Sequence, residues 1–140
     1  MTERGTAPIE LAVGVLVLLI PVALLVLSFG PVLERRVLAR SLAVETARTL
    51  VEANGVLSDG DLARLVWQAE SAGADPASIR VELCGAREVS LVDIDGCPST
   101  SGEGVEVRVE VPVEPRLLPG GPAAVSYTHL EPVEQYRSRP

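Results

Sequence analysis

The most constraining feature of this chain is an uncharged apolar run from Leu11 to Phe29, which directly follows an acidic residue, Glu10. As an α-helix, this run of about 19 residues extends about 28 Å, close to the ~30 Å hydrocarbon core of a bilayer. A secretory signal has a shorter apolar region that ends at a small-residue cleavage site. Ser28-Phe29-Gly30-Pro31 is a poor site of that type, so the run predicts a retained membrane anchor.

The rest of the chain, from Pro31 to Pro140, is long enough for one small core. We therefore expect a polar head at 1–5, a transmembrane helix at 6–30, an amphipathic helix at 31–56, a small α+β domain at 57–130 and a polar tail at 131–140. The net charge of −7 excludes nucleic acid as a natural partner.

The segment from Val32 to Ala53 predicts a helix that follows a bend or a new helix start at Gly30-Pro31. Val37, Val44 and Val51 recur every seven residues on this helix, and small residues lie between them: Ala39, Ala43 and Ala47. Two interpretations remain open. The helix packs on its own domain, or it forms a stem that packs against neighbouring subunits. Asn54-Gly55 is typical of a helix end.

Ser58 and Asp61 predict the capped start of a second helix, which buries Leu62, Leu65, Val66 and Ala69. After Pro76 the apolar residues alternate, which is the period of strands. We expect strands at 79–83, 89–94, 105–113 and 123–130, and Pro112 indicates an edge or a strand end. The predicted fold class is α+β: an N-terminal transmembrane helix that continues into an amphipathic helix, followed by a small antiparallel sheet packed on one or two helices.

Two cysteines, Cys84 and Cys97, lie in the part of the chain beyond the apolar run. In an oxidising compartment they would most simply form a disulfide. The alternative is a pair of buried thiols in a cytosolic domain.

The sequence contains no pattern that indicates catalysis. His129 has no second histidine nearby, so we expect a packing or hydrogen-bonding role rather than a metal site. Asp93-Ile94-Asp95-Gly96 resembles the start of a calcium loop, but position 104 is Gly, and a hairpin turn is the better interpretation. Ser58, Ser90 and Ser126 have no base in their sequence context. We predict no enzyme, no cofactor, no metal and no small-molecule substrate.

A processing signal precedes the apolar run. Glu10 follows Gly5 by five positions, in Arg4-Gly5-Thr6-Ala7-Pro8-Ile9-Glu10, and an apolar helix follows the glutamate. This arrangement resembles the cleavage site of type IV prepilin-like proteins, and most closely the start of TadE-type pseudopilins of tight-adherence (Flp) pilus systems. The similarity extends through the helix from Glu34 to Arg48, and the tail from Thr128 to Arg137 is similar to tails of actinobacterial members.

The resemblance implies a minor pseudopilin that a membrane prepilin peptidase cuts after Gly5 on the cytoplasmic side. Thr6 then becomes the new N-terminus, and its ammonium meets the Glu10 carboxylate, most simply that of a neighbouring subunit. Two charges that are costly alone in lipid are tolerated as a pair. The implied partners are membrane lipid, the peptidase, and other pilin or pseudopilin subunits.

The predicted topology places the N-terminus in the cytoplasm and the larger domain outside, and one rule disagrees with it. Four arginines (Arg35, Arg36, Arg40, Arg48) follow the apolar run, whereas only Arg4 precedes it. The positive-inside rule alone would place the larger domain in the cytoplasm. The cysteine pair and the processing signal favour an outside domain. The alternative function is a signal-anchored extracytoplasmic binding or scaffold protein.

Overall fold

The computed structural model describes residues 7–85, 88–97, 104–113 and 124–132. In these ranges the chain forms two α-helices, α1 (Ala7–Glu52) and α2 (Asp59–Ser71), and four strands. The strands are β1 (Arg80–Leu83), β2 (Val89–Ser90), β3 (Val105–Pro112) and β4 (Ala124–Glu131). The predicted α+β class is confirmed. Gly5 and Thr6 lie outside the described residues, so the structure does not bear on the processing site.

Helix α1 is one continuous helix of 46 residues. The predicted continuation of the apolar helix into a second, amphipathic part is confirmed, because the helix runs through both Pro21 and Pro31. Of the two alternatives at Gly30-Pro31, a bend or a new helix start, the new start is therefore wrong. An interior proline removes one helical hydrogen bond and costs roughly 3 kcal/mol. Packing on the sheet holds the turns beyond Pro31 in helical register despite this cost. At its other end, the helix stops as predicted, at Asn54 (φ 54°) and Gly55 (φ 90°).

The C-terminal half of α1 packs on the sheet of its own domain. Its buried residues recur at helical spacing, and small residues lie between the large ones: Leu38, Ala39, Leu42, Ala43, Thr46, Ala47, Thr49, Leu50 and Val51. The alanines permit close approach, but to the chain's own sheet. Of the two interpretations of this helix, packing on its own domain is therefore the correct one for this face.

The heptad valines do not form that buried face as a set. Val37 is 70% exposed, and Val44 is half-buried, whereas Val51 is buried. Val37 instead continues an exposed row with Leu33, which lies four residues earlier on the same side of α1. Helix α1 thus carries a second, outward apolar surface that its own domain does not cover.

The four-stranded sheet is antiparallel throughout, with strand order β2-β1-β3-β4. Its inner face is apolar: all four inward valines of β3 are fully buried (Val105, Val107, Val109, Val111). Its outer face is charged, and Arg80 stands opposite Glu110 while Glu82 stands opposite Arg108. Opposite charges at directly paired positions favour this register. The period-2 prediction is confirmed most fully in β3, where Pro112 lies at the strand end.

Two sequence expectations between residues 89 and 97 are wrong. The predicted strand 89–94 stops at Ser90, and residues Leu91–Asp93 form a 3₁₀ turn. That turn buries Leu91 and Ile94, three residues apart, as its three-residue period requires and as strand alternation would not. The segment Asp93-Ile94-Asp95-Gly96 is not a hairpin turn, because the strands on either side of it, β2 and β3, each pair with β1 and not with one another. Gly96 instead forms an isolated bridge with Val56.

Helix α2 begins as the sequence predicts. Ser58 is the N-cap, and its Oγ lies 3.3 Å from the Asp61 amide and donates to the Asp61 carboxylate at 2.6 Å. Leu65 and Ala69 are buried against the core. Leu62 and Val66, predicted to be buried with them, are half-buried, and Trp67 on the opposite side is 67% exposed.

Thr46 places a hydroxyl group inside the contact between α1 and the sheet. Its hydroxyl is fully buried and has no hydrogen-bond partner among the described residues, whereas the Thr49 hydroxyl, three residues later, donates to the Glu45 carbonyl at 2.8 Å. An unsatisfied buried hydroxyl costs about 1 kcal/mol or more. We expect Thr46→Val to raise the free energy of unfolding by about 1 kcal/mol, measured by urea titration of the full chain in detergent micelles.

Thr49→Val is the matched control, since it removes the same group from a satisfied site. It should lower the stability or leave it unchanged. A Thr46→Val protein less stable than the wild type would show that this hydroxyl has a partner in solution.

Candidate functional site

The carboxylate predicted to mediate assembly lies in the first turn of α1. The helix begins at Ala7, and Glu10 is exposed. The amide groups of a helix N-terminus carry partial positive charge, which favours a carboxylate at this position. None of the ion pairs or hydrogen bonds found among the described residues involves Glu10. The structure therefore presents Glu10 to whatever surrounds the helix.

The turns that follow Glu10 are apolar on every side, and none of them is covered by the rest of the chain. The large side chains from Leu11 to Phe29 are each about half exposed or more, for example Leu11 (72%), Leu18 (68%) and Phe29 (52%). A helix that is hydrophobic all round belongs in a membrane or in the core of a larger protein. One helix of the described chain is long and apolar enough to cross a membrane, and it is this one.

Two ends of the domain can be distinguished along α1. The near pole is the end next to the apolar segment, and the far pole is the end next to Glu52, where α1 stops. At the near pole, Arg35 of α1 donates from Nη2 to the Gly73 carbonyl at 2.8 Å, just beyond the C-terminal end of α2. Farther along α1, Gln68 donates to Ser41, and Arg64 pairs with Glu45 at 2.8 Å. Helix α2 therefore runs antiparallel to α1, with its C-terminal end next to the apolar segment.

Sequence reasoning missed this role of Arg35. The last turn of α2 has no basic residue of its own, so a cation from elsewhere is favoured near its free carbonyls. The lack of a basic residue in the last turn of α2 indicates that a cation binds there, but it does not indicate which arginine supplies it. Arg48 is also engaged within the chain, with Glu52 at 2.9 Å. Two of the four arginines that oppose the predicted topology thus have partners within the domain.

The two cysteines form a disulfide at the far pole. Cys84 follows β1, and its bond to Cys97 joins Cα atoms 5.8 Å apart. The Cys97 amide donates to the Gly55 carbonyl at 2.9 Å, next to the end of α1. A side chain at Gly96 would collide with the Gly55 carbonyl, which explains the glycine there. The disulfide thus holds the 84–97 loop against the end of the long helix.

His129 has the hydrogen-bonding role that was predicted for it. Its Nε2 lies 2.9 Å from the Glu131 carboxylate, and both side chains are mostly buried on edge strand β4. Among the residues that the structure describes, no three histidine, cysteine, aspartate or glutamate side chains are arranged to hold a metal ion.

No family model, no curated protein and no solved structure matches this chain.

The disulfide generates a quantitative prediction. Cross-linking a loop of about 15 residues contributes about 3 kcal/mol in the chain-entropy model. We expect Cys84→Ala/Cys97→Ala to lower the free energy of unfolding by about 2–3 kcal/mol, measured by urea titration in detergent micelles. The wild type treated with dithiothreitol is the control, and it should unfold at the same urea concentration as the double variant. A double variant that unfolds at the midpoint of the oxidised wild type would contradict the prediction.

Proposed function

We propose that this chain is a minor pseudopilin, similar to TadE-type subunits, that contributes to the assembly of a tight-adherence pilus. The observation that supports the proposal is that α1 has two halves with different surroundings. One half is apolar on all sides and uncovered, with a single carboxylate in its first turn. The other half is the central helix of a small antiparallel α+β domain. One continuous helix that joins an apolar half to a folded domain suits a subunit that moves from a membrane into a helical bundle.

The role proposed for Glu10 follows from its surroundings. An ionised carboxylate in a bilayer costs roughly 2.5–3.5 kcal/mol at mid-helix on insertion scales, and less near the interface. Cleavage after Gly5 would create an ammonium on Thr6, four residues before Glu10. Pairing of the ammonium of one subunit with Glu10 of its neighbour would offset that cost and fix the axial register between them. A chain that keeps residues 1–5 has no ammonium at Thr6, so it cannot form this pair with a neighbouring Glu10.

The proposed topology has the start of α1 at the cytoplasmic side and the domain outside the cell membrane. The disulfide supports it, because disulfides persist in oxidising compartments. All four arginines that follow the apolar segment oppose this orientation under the positive-inside rule, which counts cations rather than net charge.

Cleavage after Gly5 is tested directly by mass spectrometry of the protein extracted from the membrane. We expect a mass that lacks residues 1–5, with Thr6 as the N-terminal residue, and the full-length mass for Gly5→Val. If cells that assemble pili contain only protein that begins at Met1 or Thr2, the pseudopilin proposal is wrong.

The function of the carboxylate is tested by Glu10→Ala in cells that carry the complete pilus system. Cleavage should continue, because the cut lies one helical turn away, but incorporation should fall at least tenfold because the ammonium is left without its partner. The readout is the ratio of this protein in sheared pili or purified pilus complexes to that in membranes, measured by immunoblot.

Glu34→Ala is the matched control, since Glu34 is an exposed carboxylate on the same helix outside the apolar segment. It should be incorporated like the wild type. Equal incorporation of Glu10→Ala and wild type would instead favour the signal-anchored scaffold, in which Glu10 only borders the bilayer.

A further inference from the structure

One side of α1 remains apolar beyond the end of the predicted membrane segment. Val26, Phe29, Leu33 and Val37 follow one another at spacings of three and four residues, so they lie on the same side of the helix. All four are exposed, with Leu33 at 61% and Val37 at 70%. On other sides of the same turns, Pro31 and Val32 are already half-buried. We call Val26, Phe29, Leu33 and Val37 the outward row.

The apolar segment and the outward row together are too long for a helix that stands upright in a bilayer. From Leu11 to Val37 the helix extends about 40 Å at about 1.5 Å per residue, against a hydrocarbon core of ~30 Å. An apolar stretch longer than the core is accommodated by tilting. An inclination of roughly 25–40° would bring Leu33 and Val37 to the level of the headgroups, within the range seen for membrane helices.

Two cations lie where the end of the outward row would meet the headgroups. Arg36 follows Leu33 by three residues and Arg40 by seven, so both lie near this side of α1. Both are exposed, and neither has an ion-pair partner within the described part of the chain. Helical side chains point toward the helix N-terminus, which here is the direction of the apolar segment. The two guanidinium groups are therefore positioned to reach back to lipid phosphates.

We propose that α1 crosses the membrane tilted, with the outward row embedded in the outer headgroup region and with Arg36 and Arg40 bound to lipid phosphates. The proposal rests on the membrane-anchor part of the proposed function and not on pilus assembly. It deepens that function, because a tilted α1 holds the domain on the membrane surface before assembly. Continuity of the outward row with the apolar segment, together with the adjacent cations, favours lipid over a second protein as its partner.

Depth-dependent fluorescence quenching tests the tilt in the full-length protein. The chain has one tryptophan, Trp67, which is exposed, so Trp67→Phe provides a background without native signal. Single reporters are Leu19→Trp within the span, Leu33→Trp and Val37→Trp in the outward row, and Glu34→Trp as the matched control. Position 34 is exposed at the same height. It lies about 100° around the helix from Leu33 and about 60° from Val37, outside the arc of about 80° that the outward row covers.

The protein is reconstituted at a low protein-to-lipid ratio in two sets of phosphatidylcholine–phosphatidylglycerol vesicles, one with acyl chains brominated near the headgroups and one with chains brominated near the bilayer centre. Position 19 should be quenched mainly by the deep bromines. Quenching at positions 33 and 37 by the shallow bromines should be at least half of that at position 19 by the deep ones, and at least twice that at position 34. Arg36→Gln/Arg40→Gln should reduce quenching at position 37 about twofold. Arg108→Gln, on the outer face of the sheet, should leave it unchanged.

Three results would overturn the proposal, and they differ from one another. Quenching at position 19 without an excess at 33 and 37 over 34 indicates an upright helix and leaves the anchor intact. Shielding of 33 and 37 that develops only as the protein-to-lipid ratio rises indicates that the outward row binds another subunit. Loss of quenching at position 19 itself means that the apolar segment does not insert, so the anchor proposal fails as well.

Discussion

The domain depends on the contact between the alanine-rich side of α1 and the valine side of β3. Four consecutive inward valines of the central strand are fully buried, and small residues such as Ala39, Ala43 and Ala47 let the helix backbone approach them closely. Every other part of the fold follows from this contact. Helix α2 lies beside α1, strands β1 and β4 flank β3, and the apolar half of α1 is left outside the domain.

Much of this architecture is readable from the sequence, because it rests on local periodicity. The uncharged run after Glu10 has the length of a bilayer span, residues 105–111 alternate without exception, and Ser58 with Asp61 specifies a helix start. The disulfide between Cys84 and Cys97 is favoured by the presence of two lone cysteines in the part of the chain beyond the apolar run. The core strand, the long apolar helix and the disulfide are therefore predictable from pattern alone.

The remainder was not readable, because it depends on choices between equally apolar surfaces or on distant partners. Residues 33–51 carry apolar side chains both in the heptad of Val37 and in the buried set of Leu38, and only the sheet decides between them. Arg35 reaches Gly73 across 38 positions, which no local rule anticipates. The proposed partner of Glu10 lies on another chain, so neither the sequence nor the fold of a single subunit contains it.

The unbroken course of α1 through Pro31 has a mechanical consequence. A flexible linker would let the domain and the apolar segment move independently, but a helix of 46 residues joins them here. A pull or a rotation applied to the apolar segment is therefore transmitted to the helix–sheet contact, and from there to the Cys84–Cys97 cross-link beside the far end of α1. The disulfide thus cross-links the chain beside the end of a helix of 46 residues, whose contour length is about 69 Å at about 1.5 Å per residue.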